Sequence, residues 1–335
     1  MIDRQTNCRP RPSRRRFLRA VAGIAGTPVV AALGQAGAKA EPDLQMLSLN
    51  PGRPRSRVVS MQQPGLWVQG SVHPELMREA LAAVLSRTFE VPTVADAWHR
   101  ILEPRDIVGI KFNRSGQPEL GTSTEFGAAL VESLLAAGWR RSSIVLIEAP
   151  IGLVKRYGTQ PAIEGYRSTL TDFGSGSDQL ASVLDQVTVL VNVPFLKSHN
   201  LCTMTCCLKN LSHALVKHPA RFHGDGCSPF IADIVASPDI KDKLRLNIVD
   251  AIRVVHEGGP LVSQDKVSPA ETLIVSADPV AADAIGFQVL NSEREKLGMT
   301  PLAMSAGSVA YLAAAHRRGL GTVLTHGIDL QSTSR

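Results

Sequence analysis

The sequence predicts an α/β fold: a mostly parallel, layered sheet with helices on both faces. Three observations point that way. Strand-like and helix-like segments alternate along the chain, a pattern that favours parallel pairing. Ile144-Val145-Leu146-Ile147 is apolar without alternation, and Val187–Val193 reads as a second strand buried on both faces. Polar residues follow such runs repeatedly: Lys111 and Asn113 after Ile107–Ile110, Glu148 after Ile147, Lys197 and His199 after Val193, Asp250 after Leu244–Val249, and Asp278 after Leu273–Ser276. In parallel sheets, ligand crevices lie beyond the carboxyl ends of the strands. These polar termini are therefore expected on one rim.

The chain opens on an address. Ser13-Arg14-Arg15-Arg16-Phe17-Leu18 has two adjacent arginines, a spacer and Phe-Leu, the pattern read by the twin-arginine translocation machinery. A mild apolar run, Ala20–Ala36, follows, and Ala38-Lys39-Ala40 offers a small-residue cleavage site. The run contains Gly23, Gly26, Pro28 and Gly34, too poor a composition for a membrane span. Residues 1–40 are expected to be a signal peptide, 41–56 a linker or arm, and 57–330 a single α/β domain with a periplasmic or extracytoplasmic location and no stable membrane span. The signal carries eight of the 36 basic residues and one of the 30 acidic ones, leaving 28 and 29. The mature chain is thus near neutral, and its composition argues against nucleic acid as a partner.

Taken in order, Arg57–Met61 is a short strand. His73-Pro74-Glu75 opens a helix to about Thr88, with proline at an early position where its missing N–H costs nothing. A second helix spans Val94–Leu102 and stops before Pro104. Asp106–Phe112 is a strand, Asn113–Gly121 a polar loop, and Thr124–Ala137 a helix closed by Gly138. Ala149–Gly176 is poorly patterned. Gln179–Leu184 and Phe230–Val235 are short helices, Leu244–Val249 and Leu273–Ser276 strands, and Gly258-Gly259-Pro260 a turn. Asp278-Pro279 caps a helix to Leu290, and Ser308–Arg317 is the last helix.

Residues 192–227 concentrate the chemistry. Read as a helix, Leu201–Lys217 places Leu201, Met204, Leu208, Leu211 and Leu215 on one stripe and Cys202, Cys206, Lys209 and His213 on the opposite one. Three chemistries fit. Histidine and cysteine at helical spacing can share a metal ion, with His199, His223 and Cys227 as candidate ligands. Cys202, Cys206, Cys207 and Cys227 can form disulfides in an oxidising compartment. Lys111, Lys197 and Lys209 can hold a small anionic ligand while His199 moves a proton and Asp250 orients an imidazole or binds a cation. Lys197, His199, Lys209 and Asp250 are the catalytic candidates, and Lys111, Asn113 and Asn210 the substrate-binding ones. An exported protein that binds without turnover is the competing expectation, with the same residues.

Several motifs together resemble the domain of unknown function 362 family. They are Lys111-Phe112-Asn113, Phe195-Leu196-Lys197-Ser198-His199, Leu208-Lys209-Asn210, Ile248-Val249-Asp250-Ala251-Ile252 with Gly259-Pro260, and Ser276–Ala284 with Asp278 and Asp283. The resemblance spans about Arg57 to Leu330. His223 and the run from Cys227 to Ile231 resemble a twin-arginine-exported branch. The resemblance implies importance for Lys111, Asn113, Lys197, His199, Lys209, Asn210, Asp250, Asp278 and Asp283, but no reaction. Some members carry a ferredoxin-like module, whose C-x2-C-x2-C-x3-C run this chain lacks. The family is also distantly similar to the amino-terminal part of nickel-dependent lactate racemases, an analogy of fold.

Overall fold

A computed structural model describes residues 55–116, 120–157, 165–259, 264–304 and 309–334. The expected signal, most of the arm, Pro260 and Ser308 lie outside these residues. The described elements begin with β1 (Ser56–Gln62), the small hairpin β2 (Trp67–Val68) and β3 (Ser71–Val72), α1 (Pro74–Phe89), α2 (Val94–Ile101), β4 (Val108–Lys111) and α3 (Thr124–Ala136). Next come β5 (Ile144–Ile147), α4 (Ile151–Tyr157), a second hairpin of β6 (Thr171–Asp172) and β7 (Ser177–Asp178), β8 (Val189–Asn192), β9 (Phe195–His199) and β10 (Thr203–Thr205). The chain continues through α5 (Cys207–Ser212), α6 (Phe230–Val235), α7 (Pro238–Lys241), β11 (Leu244–Val255), β12 (Val267–Ser276), α8 (Pro279–Lys296), α9 (Ala310–Arg317) and β13 (Ile328–Ser334).

Local chemistry sets the helix starts. The His73 side chain accepts from Leu76 N ahead of Pro74, and α2 begins with a reciprocal capping box between Thr93 and Asp96. Asp278 caps α8 by accepting from Val280 N and Ala281 N at 2.8 and 2.9 Å. Its other oxygen accepts from Ser56 Oγ and Thr322 N, so one carboxylate ties α8 to β1 and to the segment before β13. A Cβ at Gly321 would lie 1.7 Å from that carboxylate, which is why glycine stands there.

Among the described residues, nine strands form one mixed, mostly parallel sheet, as the α/β expectation requires: seven follow the order β13-β1-β12-β11-β8-β4-β5, and β9, itself paired with β10, joins β11. β4, β5, β8 and β11 are mutually parallel. β11 is long enough to carry two partners on one edge: β8 against its first half and β9 against its second. β12 is antiparallel to β11 and β1. The strand ending at Ser276 therefore runs the other way, and Asp278 leaves the sheet away from the expected rim. Two apolar layers sandwich the sheet. One packs α1, α2 and α3 against Ile110, Val191 and Ile248. The other packs the α5, α6, α8 and α9 region against Leu190, Val249 and Ala251. No helix among the described residues is long and apolar enough to cross a membrane.

The largest departure is in residues 201–217. No continuous helix forms there: the chain turns at Leu201, runs as β10 antiparallel to β9, and coils only over the six residues of α5. Cys206 sits at φ −151°, ψ −140°, which breaks any helix at that point. Leu201 is 58 % exposed, whereas Cys202 and Cys206 are buried in the core with Met204, Leu208, Leu211 and Leu215. The thiols expected on a stripe opposite the leucines are thus part of the same interior. The expected helix at 179–184 is a 3-10 turn over Ser182–Asp185, and the poorly patterned stretch after Ala149 contains α4.

Candidate functional site

A cavity of about 260 Å³ opens where β4 and β5 end, walled by β9 and α5. Asn113 and Ser115 come from the segment after β4, and Glu148 from the residue after β5. Lys197 and His199 come from β9, Thr205 from β10, and Lys209, Asn210 and His213 from α5 and its end. His223 closes it from the following turn. Carboxyl ends of parallel strands thus do converge with the histidine- and lysine-rich window.

A row of amides supports the wall. The register aligns Lys111 with Asn192, and Asn192 with Asn247, on one face of the sheet. Asn192 Nδ2 donates to Asn247 Oδ1 at 2.9 Å and to the Cys207 carbonyl at 3.1 Å. Asn210 Nδ2 donates to Asn192 Oδ1 and to the Lys111 carbonyl, and its oxygen accepts from Lys111 Nζ and Asn113 Nδ2. Asp283 of α8 accepts from Cys207 N and Leu208 N, holding the amino end of α5. Burial pushes the Asp283 carboxyl up to about 6, against the opposing pull of hydrogen bonds that include these two N–H groups.

The three lysines have different surroundings. Lys111 is fully buried and donates to Glu148 Oε2 at 2.7 Å, to Asn210 Oδ1 and to the Phe112 carbonyl. An ammonium has three hydrogens, so none is left for a ligand. Lys111, expected to bind substrate, instead fixes Glu148 and Asn210; Asn210 spends its own capacity in the same network. Lys197 donates to Asn113 Oδ1 at 3.1 Å and to the Ser115 carbonyl at 3.0 Å, leaving one hydrogen for the cavity. Burial, then Lys209 and Lys111, pull its pKa down to about 8, with Glu148 opposing. Lys209 Nζ lies 3.1 Å from His223 Nε2 and 3.7 Å from Cys227 Sγ.

The imidazoles are neutral at neutral pH. Burial, reinforced by Lys209, His223 and Lys197, drives His199 down to about 3. Its Nδ1 accepts from Leu201 N at 3.1 Å, which leaves the proton on Nε2 and makes the ring a hydrogen-bond donor. Burial, Lys209 and His223 drive His213 to about 2, against an upward pull from the Phe222 backbone. His223 is lowered for the same first two reasons, and its Nδ1 faces the Pro219 carbonyl at 3.0 Å. Cys227 is lowered by its hydrogen bond with Cys202 and by Lys209, whereas burial raises Cys202.

Two sequence expectations do not meet here. Asp250 does not line the cavity. Alternation along β11 puts Asn247, Val249 and Ala251 on the α5 and α8 face, and Asp250 on the other face with Ile248 and Ile252. There it accepts from Ile252 N and feels Arg253, whose guanidinium stacks 4.2 Å over Trp67. The metal candidates also regroup. Donor atoms of His213, His223 and Cys227 lie within 4.8 Å of one another, while His199 stacks on His223 with its Nδ1 already engaged. The four described cysteines are free thiols. Cys206, Cys207 and Asp283 also cluster, but that carboxylate is committed to backbone N–H groups.

Glu148 and His213 were missed as site residues. Glu148 carried a signal, a charge directly after a buried strand, and its left-handed φ of 53° marks a backbone held in place by its surroundings. His213 stood on the polar stripe with Lys209, although the long helix that suggested the stripe does not exist.

No curated protein matches the chain. The family model described as Domain of unknown function (DUF362) matches residues 108–288, more than half of the sequence. That span runs from β4 to the middle of α8 and holds every residue of the cavity wall named above, so the chain belongs to the DUF362 family.

Proposed function

We propose that the chain is an enzyme that binds a small anionic molecule in this cavity and moves a proton on it. One observation carries the reading: Lys197 and Lys209 are buried beside one cavity, and their hydrogen-bond partners are neutral oxygens, a histidine and a thiol. Glu148 is already paired with Lys111. Buried charge without a counter-charge is costly, and an anionic ligand would offset that cost. His199 Nε2–H and the third hydrogens of Lys197 and Lys209 are the donors available to it. With its pKa near 8, Lys197 suits general acid–base work near neutral pH better than His199, which stays neutral and donates. The proton-transfer role expected for His199 passes to Lys197 in this reading.

Calorimetric titration with inorganic phosphate and a panel of small carboxylates tests the binding step. The expected result is saturable binding that weakens as pH rises above about 8, where Lys197 loses its proton. Lys197→Met should reduce affinity by roughly 1.5–3 kcal/mol, the usual worth of a hydrogen bond to a charged group, and remove that pH dependence. Unchanged affinity in Lys197→Met would overturn the reading. Binding of a ligand that is never converted would favour a binding protein over an enzyme.

We also propose that residues 1–40 direct export through the twin-arginine pathway and that the mature domain works outside the cytoplasm, in the exported branch of the family. The support is the order of arginine pair, apolar run and small-residue site in the sequence.

A further inference from the structure

We propose that His213, His223 and Cys227 form a binding site for a divalent transition metal of the zinc class, with a further coordination position open to the cavity. The Ser212 hydroxyl donates to the Lys209 carbonyl, so its oxygen is free to accept Nδ1–H from His213 at 2.9 Å. That leaves Nε2 of His213 as a lone pair. This atom is buried and has no hydrogen-bond partner, in a residue only 8 % exposed. The Pro219 carbonyl accepts Nδ1–H from His223 and turns its Nε2 lone pair towards the same point. Metal-binding histidines are oriented in this way, by an acceptor on the far nitrogen. The Cys227 thiol supplies a third donor, and all three donor atoms fall within 4.8 Å of one another.

A cation already stands at this point. Lys209 Nζ contacts His223 Nε2 and Cys227 Sγ. An ammonium satisfies these donors poorly: sulfur is a weak acceptor, and His213 Nε2 receives nothing from it. A metal ion would satisfy all three. Two imidazoles and a thiolate suit zinc and its neighbours, and three protein ligands with an open position are the pattern of reactive rather than purely structural zinc sites. The ion would displace the Lys209 ammonium into the cavity. The inference stands on the orphaned imidazole nitrogen and does not need the anion-binding reading.

The test uses the reduced full-length chain in metal-free buffer, titrated with Co2+ and then with Zn2+ in competition. The expected result is stoichiometric Co2+ binding with a thiolate-to-metal charge-transfer band that Zn2+ abolishes. Cys227→Ser should remove the band. Ser212→Ala, which deletes the acceptor behind His213 together with one bond to the Lys209 carbonyl, should weaken binding about 10–100-fold, and His213→Ala should weaken it further. Lys209→Met, by removing the competing ammonium, should strengthen it. A band that persists in Cys227→Ser, or no band in either the natural chain or Lys209→Met, would overturn the proposal. Circular dichroism checks each variant's fold, and Ser212→Ala carries the comparison if His213→Ala does not fold. Phosphate binding by the metal-free chain and by Lys197→Met is read separately, so either proposal can fail without the other.

Discussion

At the scale of single residues, the same side-chain type does different work according to its burial and partners. Lys111 and Lys197 are both buried, yet one has spent every donor and the other keeps one. Asp250 shows the cost of a carboxylate without enough compensation. Burial raises it from an ordinary 3.8 to about 7, although Arg253 and Ile252 N pull the other way. Between these values the folded chain holds a proton that the unfolded chain has lost. Stability from this group therefore falls as pH rises from about 4 to about 7, and the loss is complete above. Asp250→Asn removes the titration. Its stability relative to the natural chain should rise across that window, by up to about 1.4 kcal/mol per pH unit, and then level off. Denaturant melts at a series of pH values check this; parallel curves for the two chains would refute it. The meeting of Lys197, His199 and Lys209 at one cavity was legible in their sequence clustering, but whether each donor was free or spent was not, because that depends on partners such as Glu148, 37 residues from Lys111.

At the scale of elements, α5 is the piece that the site hangs on. It has six residues, too short to hold its own shape in water. Asp283 anchors it from α8 through two N–H bonds, and Asn192 grips the Cys207 carbonyl from β8. Asp283→Asn replaces one accepting oxygen with a donor that faces an N–H group. It should cost roughly 1.5–3 kcal/mol, and it should lower phosphate and Co2+ affinity together, since Lys209, Asn210 and His213 all ride on α5. A thermal melt with both titrations decides; full binding in a destabilised variant would show that α5 is placed by other means. Helix starts at His73 and Asp278 were readable because capping is local chemistry; the Thr93 cap of α2 was not singled out. The 201–217 stretch misled because its leucine spacing fits a helix equally well when separate pieces feed one core. Thr203 and Thr205, β-branched residues that favour strands, were the contrary signal.

At the scale of the whole molecule, the sheet brings distant segments to one cavity, and the export proposed for residues 1–40 has its own test. Replacing Arg14 and Arg15 with lysine should abolish export of the chain in a bacterial host while leaving the purified domain's melting temperature unchanged. Cell fractionation reads the first outcome; a processed, exported double variant would defeat it. The sequence by itself determined the α/β class, the family, most of the strands and the lysine and histidine window. Buried apolar runs, caps and ordered motifs act over a few residues, so they can be read without coordinates. Only the tertiary structure decided that Asp250 faces the opposite layer, that Lys111 is spent, and that His213 rather than His199 joins His223 and Cys227. Each of those outcomes depends on which face a strand shows and which nitrogen a neighbour occupies, and both are fixed by contacts between residues far apart in the chain.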